Sequence, residues 1–296
     1  MSLNENGDHD RISPTAKITA YWRSLSDIPF SQEIAQAVDA ESTARQMLGD
    51  RIVSMGTLSP SIFEVRYKSI NRGLARTGLT NVLELACGLS PRGLEIAAKG
   101  GVYVGTDLPE MLTESASLMT AIAGRDKVPL DNLHFHAANV LDREALEHAA
   151  AHFRKERFAI CNEGLLMYLN REEKAVTARN IRELLLRNGG HWITTDIVFR
   201  ALRDSVRTLF SLETRKALAP ALKAIAEQTG RDSNANDFAN KAEAVAFFEK
   251  EGFSIEEFPV YDRGDILSTS FRLHERFKER FLDILASAKA WILTPR

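Results

Sequence analysis

One stretch, residues 81–107, constrains this chain more than any other: NVLELACGLSPRGLEIAAKGGVYVGTD. It opens with a short apolar run over 82–86 that carries a single acid, Glu84. A turn follows at Gly88, then Ser90 and Pro91 at the head of a helical segment, then a second apolar run over 102–106 ending on Asp107. Strand, glycine turn, helix, strand and acid in this order describe a nucleotide-binding βαβ unit. Gly88 has no Cβ, so the backbone can pass close to a ligand there. Ser90 is the expected N-cap and Pro91 suits the first helical position, which turns free N–H groups toward the same space. Asp107 comes 23 residues after Glu84, where an acid that grips ribose hydroxyls belongs in such a unit. The ligand implied is a nucleoside-containing cofactor.

The turn narrows the choice. A dinucleotide fingerprint reads G-x-G-x-x-G across it. Residues 86–93 read ACGLSPRG, with one glycine where the fingerprint asks for two or three. NAD or FAD would therefore lack its pyrophosphate cradle, which counts against the alternative reading of a Rossmann-type oxidoreductase. A strand acid, Glu84, shortly before a single-glycine turn suits S-adenosylmethionine, which carries no phosphate. The stretch resembles motif I of the class I methyltransferases. ELACGLSPRGLEIA, followed by VGTDLPEM and NEGLLMYL, resembles the leucine carboxyl methyltransferase-like family, which includes bacterial O-methyltransferases associated with polyketide biosynthesis. The match spans roughly residues 10–196.

That resemblance implies an α/β fold: a Rossmann-like seven-stranded class I methyltransferase sheet, N-terminal helices that help close the active site, and S-adenosyl-L-methionine as cofactor. It implies O-methylation of a small-molecule carboxylate or hydroxyl. A protein that binds the cofactor without catalysis is the third reading. Ala86 departs from the family pattern, since many relatives carry a second glycine there. An ordinary strand backbone at Ala86 is expected to accommodate the change.

Bulk composition agrees with a globular α/β protein. Of the 296 residues, 44% are apolar and 26% charged, ordinary values for such a chain. A net charge of −2 gives no electrostatic case for nucleic acid or an acidic membrane. No apolar run is long enough for a bilayer, and residues 1–14 carry no signal-peptide pattern. Cys87 and Cys161, the two cysteines, fit a reducing compartment, so a cytoplasmic location is expected.

Along the chain, residues 1–9 read as a frayed polar tail, 10–78 as a helical cap and 79–296 as the methyltransferase domain. Ile18, Tyr21, Trp22 and Leu25 fall at helical spacing after Pro14, and one helix is expected over 34–48 and another over 60–75, ending near Gly78. Further strands are expected over 133–137, 158–162, 191–195 and 253–260, helices over 109–123, 171–187, 241–250 and 271–287, and a closing antiparallel strand over 288–293. Residues 197–237 are too long for an ordinary connection and read as a largely helical insertion over the active-site face.

Several residues carry roles. The resemblance places an arginine of the helix before motif I on the cofactor's carboxylate, and RYKSIN puts Arg66 there, with Lys68 as its substitute. A planar guanidinium suits both carboxylate oxygens. Leu108 and Met111 resemble the residues packed against adenine. Asn139, in the loop with Val140, stands where an acid or amide faces the adenine amino group, and an amide both donates and accepts. Glu163, at the C-terminal end of the fourth strand, matches a family glutamate of the binding site and would hold the cofactor's ammonium. An acceptor carboxylate needs no general base, whereas a hydroxyl usually does; Tyr168, Asp196 and His191 are the candidates. His134 with His136, and His148 with His152, are each spaced to share a metal, but neither pair has a third ligand at suitable spacing. No metal is expected. No G-x-S-x-G elbow starts a hydrolase triad.

Overall fold

In the computed structural model, residues 13–50, 53, 58–209, 215–216, 219, 223 and 236–296 are described. The tail over 1–9 and most of residues 210–235 of the expected insertion lie outside them.

Seven strands form one sheet in the order β3-β2-β1-β4-β5-β7-β6: β1 (Val82–Leu85), β2 (Tyr103–Asp107), β3 (Leu133–Ala137), β4 (Phe158–Asn162), β5 (Gly190–Thr194), β6 (Phe253–Pro259) and β7 (Lys289–Pro295). The first five are parallel, and β7 runs antiparallel to both β5 and β6. This is the seven-stranded sheet with a closing antiparallel strand that the sequence implied.

β1, β2 and β4 are buried along their whole length, as expected of parallel strands covered on both faces. Alternate side chains divide between two cores. Leu83, Leu85, Val104, Ile160 and Trp192 enter one, while Val82, Cys161 and Ile193 enter the other. The first is covered by α7 (Arg143–Ala150), α8 (Arg171–Asn188) and α10 (Lys241–Lys250). The second lies under the N-terminal helices α1 (Ser13–Ser24), α2 (Ser31–Ala37), α3 (Ala40–Leu48) and α4 (Ser59–Thr77), with α5 (Arg92–Ala98), α6 (Pro109–Arg125) and α11 (Glu275–Ser287).

The aromatic face of α1 is core: Ile18, Tyr21 and Trp22 are all buried. The helix expected over 34–48 is two helices, because Asp39 takes a left-handed φ of 48° between α2 and α3. α4 ends as expected, on Gly78 with φ 67° and its N–H bonded to the last turn, the usual glycine stop. The helix expected from 271 starts at Glu275, after a single 3-10 turn, Ser270–Arg272. Of the insertion, α9 (Arg200–Arg207) is helical as expected, and a bridge between Phe199 and Phe238 joins its two ends. Among the described residues no helix is long and apolar enough to cross a membrane.

β5 can pair with β4 only because its first residue is glycine. Gly190 has φ 130°, and a Cβ there would lie 1.9 Å from the Phe158 carbonyl oxygen. Gly190→Ala is expected to cost roughly 2 kcal/mol or more, measured by urea denaturation.

Candidate functional site at the strand ends

The C-terminal ends of β1, β2, β4 and β5 meet under α1 and α4, where ligands of open α/β sheets bind. The turn after β1 is tighter than the sequence suggested. The strand stops at Leu85, and Ala86 adopts φ 51°, a left-handed conformation, followed by Gly88 at φ 52°. The expectation of ordinary strand at Ala86 is therefore corrected. A Cβ in this region costs roughly 1–2 kcal/mol, which explains why a second glycine suits the position. Ala86→Gly is expected to stabilise the protein by about 0.5–1 kcal/mol after the larger unfolded-state entropy of glycine is subtracted, read from the thermal midpoint.

Asp107 ends β2 beside this turn. Its Oδ2 accepts the Gly88 N–H at 2.7 Å and its Oδ1 accepts the Leu108 N–H at 2.8 Å. Both oxygens thus lie at the turn, and a carboxylate oxygen can accept from hydroxyl donors. Leu108 is half-buried at the head of α6, and Met111 is buried one turn on. The Ala138 N–H bonds the Asp107 carbonyl, which brings the 138–141 loop alongside. There Asn139 Oδ1 accepts the Leu141 N–H, leaving its amide N–H groups outside that turn, and the Val140 carbonyl accepts from Asn180.

Pro91 occupies the cap position of α5, and the Ser90 hydroxyl accepts the Arg92 N–H at 3.4 Å. α5 starts at Arg92, and the Ser90 hydroxyl lies 3.2 Å from Glu84 Oε1. Glu84 faces inward rather than into the open strand-end space. It is 2% exposed, ion-paired to Arg92 at 3.0 Å and bonded by the Tyr103 hydroxyl at 2.8 Å.

Glu163 is the hub. Its side chain is 3% exposed and faces three guanidiniums: Arg23 of α1 at 3.0 Å, Arg66 of α4 at 3.6 Å and Arg92 of α5 at 3.5 Å. Its charge thus faces three arginines, beside the space where the expected ammonium would lie. Burial alone would raise the Glu163 carboxyl, but Arg23, Arg66 and Arg92 together outweigh burial and hold it below the ordinary carboxylate range. A carboxylate with a depressed folded value stabilises fully above its unfolded value of about 4.3, and this contribution is lost as pH falls through the folded one. The stability gap between wild type and Glu163→Gln is therefore expected to be full above about pH 4.3 and to close on further acidification, followed by denaturant titrations at stepped pH.

Arg66 joins this hub to Asp196, 3.3 Å away. Asp196 also accepts from Asn162 Nδ2 at 2.7 Å and from the N–H groups of Gly164, Leu165 and Leu166 at 2.8, 2.7 and 3.1 Å. Five donors fill its acceptor sites, so it does not fit the role of general base. It holds the loop after β4 in place. Asp196→Asn is expected to destabilise by about 2–4 kcal/mol, measured by chemical denaturation.

The other two base candidates fare no better. His191 lies at the N-terminal end of β5, about 10 Å of strand from Thr194, with Nδ1 2.9 Å from the Thr294 hydroxyl. Tyr168 lies in the loop after β4, and burial raises its phenol above the usual value, the wrong direction for a base. Lys68, the substitute for Arg66, pairs instead with Asp27 at 2.7 Å and Glu64 at 2.6 Å.

Arg23 and Arg92 were missed in the sequence. Arg92 is fully buried, with its guanidinium 4.2 Å from the centre of the Tyr67 ring. A basic residue on the apolar face of α1 was a signal for Arg23; nothing in the sequence marked Arg92 beyond its place after Pro91.

No family model matches this sequence, and no curated protein matches it. Several solved structures resemble it at low identity. A methyltransferase described as S-adenosylmethionine-dependent, from Anabaena variabilis, is 14% identical over 85% of this chain and 93% of its own, with a TM-score of 0.48. The magnesium protoporphyrin IX methyltransferase of Synechocystis PCC 6803, with bound S-adenosylhomocysteine, is 12% identical over 88% of this chain and 100% of its own, at 0.46. The methyltransferase domain of bacterial CtHen1 is 13% identical over 78% and 97%, at 0.47. Likeness this remote leaves activity to be argued from the residues.

Proposed function

We propose that this protein is an S-adenosylmethionine-dependent methyltransferase that methylates an oxygen of a small molecule, with a carboxylate as the acceptor. The observation that carries the reading is the pairing of the Gly88 N–H with the Asp107 carboxylate. In a dinucleotide site the N–H groups of this turn face a pyrophosphate. Here an acid stands in front of the turn, which repels phosphate and suits the hydroxyls of an unphosphorylated ribose.

The residues present fit such a cofactor. Asp107 places a carboxylate at the turn where the sugar hydroxyls would lie, and Leu108 and Met111 offer an apolar wall to a flat heterocycle. Arg66 is the most exposed guanidinium of the hub, at 23% against 6% for Arg23 and 0% for Arg92, so it is the one in reach of an amino-acid carboxylate. When bound, the cofactor supplies a sulfonium methyl group already activated for displacement. The protein's part is then alignment of the acceptor with that group. Asp196 serves this by fixing the loop that leaves β4.

The placement of the three base candidates supports a carboxylate acceptor. Asp196 is saturated, His191 stands at the far end of its strand and the Tyr168 phenol is raised. An acceptor that is ionised at neutral pH needs none of them, which favours a carboxylate over a hydroxyl.

Calorimetry with S-adenosylhomocysteine tests the site. Wild type is expected to bind, and Asp107→Ala to bind at least about tenfold more weakly, or 1.4 kcal/mol. Unchanged affinity in that variant, or binding of NADH instead, would overturn the site. Methyl-labelled cofactor with a panel of carboxylic acids tests the acceptor. Label released by mild alkali marks an ester, as expected; alkali-stable label marks an ether.

A further inference from the structure

Away from the strand ends, the fold brings together two histidine pairs that stand apart in the sequence. His134 and His136 lie two residues apart on β3 and so share a face. His148 is on α7 and His152, four residues on, is in the 3-10 turn Ala151–Phe153. The His136 and His152 Nε2 atoms are 2.6 Å apart. The His134 ring stacks on His152 with centroids 4.0 Å apart, and His148 meets His136 edge-on at 5.3 Å. These four account for four of the seven histidines in the chain.

We propose that this tetrad is a binding site for one divalent transition-metal ion of the zinc class, held by His136 and His152 with His134 or His148 as the third ligand. Two neutral imidazoles can bring ring nitrogens this close only with a proton between them, since one must donate and the other accept. A metal ion takes the place of that proton. Zn–N bonds of about 2.0–2.1 Å at a tetrahedral angle set two nitrogens roughly 3.3 Å apart, so the pair must open by less than about 1 Å.

As the rings stand they close on one another. Among the described residues no three histidine, cysteine or acidic side chains surround a common point as metal ligands, so the third ring has to swing in as the ion arrives. There is room for it. His134, His148 and His152 line a groove of about 590 Å³, with Asp131 and Glu156 on its wall, and His148 is exposed. Imidazole donors select zinc, copper, nickel or cobalt over magnesium and calcium.

The ion would strengthen the tie that the His136–His152 contact makes between β3 and the turn after α7. β3 is the edge strand, paired to β2 alone, and a ligand set drawn from β3 and the end of α7 would fasten that edge to the helix behind it.

The full chain, stripped with chelator, is titrated with Zn²⁺ by calorimetry and with Co²⁺ by visible absorption. One equivalent is expected, with ligand-field bands of nitrogen-bound cobalt and a raised thermal midpoint. His136→Gln and His152→Gln are each expected to weaken binding at least about tenfold while leaving the metal-free midpoint in place. His191→Gln, His274→Gln and His9→Gln should bind as wild type does. Should a tetrad variant fail to fold, paramagnetic broadening by Co²⁺ in wild type reads the same point, because it must fall on the ring protons of His136 and His152. No stoichiometric binding, broadening confined to other histidines, or tight binding that survives the His136→Gln/His152→Gln double variant would overturn the proposal.

Discussion

Three guanidiniums around one buried carboxylate hold the strand ends together. Glu163 is reached by Arg23 from α1, Arg66 from α4 and Arg92 from α5. Arg92 also pairs with Glu84 of β1, and Arg66 with Asp196 after β5. Three positive and three negative side chains therefore sit in one nearly dry patch, with no net charge. A buried ion costs several kcal/mol unless its partners are in place. The elements carrying these groups are thus bound to one relative position, and a shift in any one leaves a charge unpaired.

This constraint explains where the chemistry has room. Glu84 and Glu163 face inward, each engaged by arginine, and Asp107 lies at the βαβ turn against the Gly88 N–H. Arg66 remains the partly exposed cation. An acid beside the glycine turn and a cation on the helix opposite form a polarity suited to a sugar at one end and a carboxylate at the other. The buried ion cluster keeps those two ends apart and oriented. It is a device of position more than of stability, since well-packed apolar groups of the same volume often hold a fold equally well.

Much of the architecture was legible because buried parallel strands read as apolar runs, and because Gly78 ends its helix in the expected place. The failures have a common cause. Spacing along the chain does not say which end of a strand or which face of a turn a side chain occupies. His191 and Asp196 are five residues apart, yet β5 carries one to its N-terminal end while the other caps the loop after β4. Asp39 and Ala86 adopt left-handed backbone that nothing local required of an aspartate or an alanine. Arg23 and Arg92 look like ordinary surface charges until tertiary packing pairs them. Two histidine pairs that stand apart in the sequence meet through the crossover from β3 to α7.

Asp196 ties these threads to the chemistry. At the end of a strand next to the proposed pocket it looks like a base, but this carboxylate accepts three backbone N–H groups, an amide and a guanidinium, which fill its acceptor sites. Those same bonds fix residues 164–166, which leave β4 next to Glu163. A site built this way supplies rigidity in place of proton transfer. Displacement at an activated methyl group by an anionic oxygen needs rigidity above all, whereas a neutral hydroxyl would need the proton acceptor that this arrangement gives up.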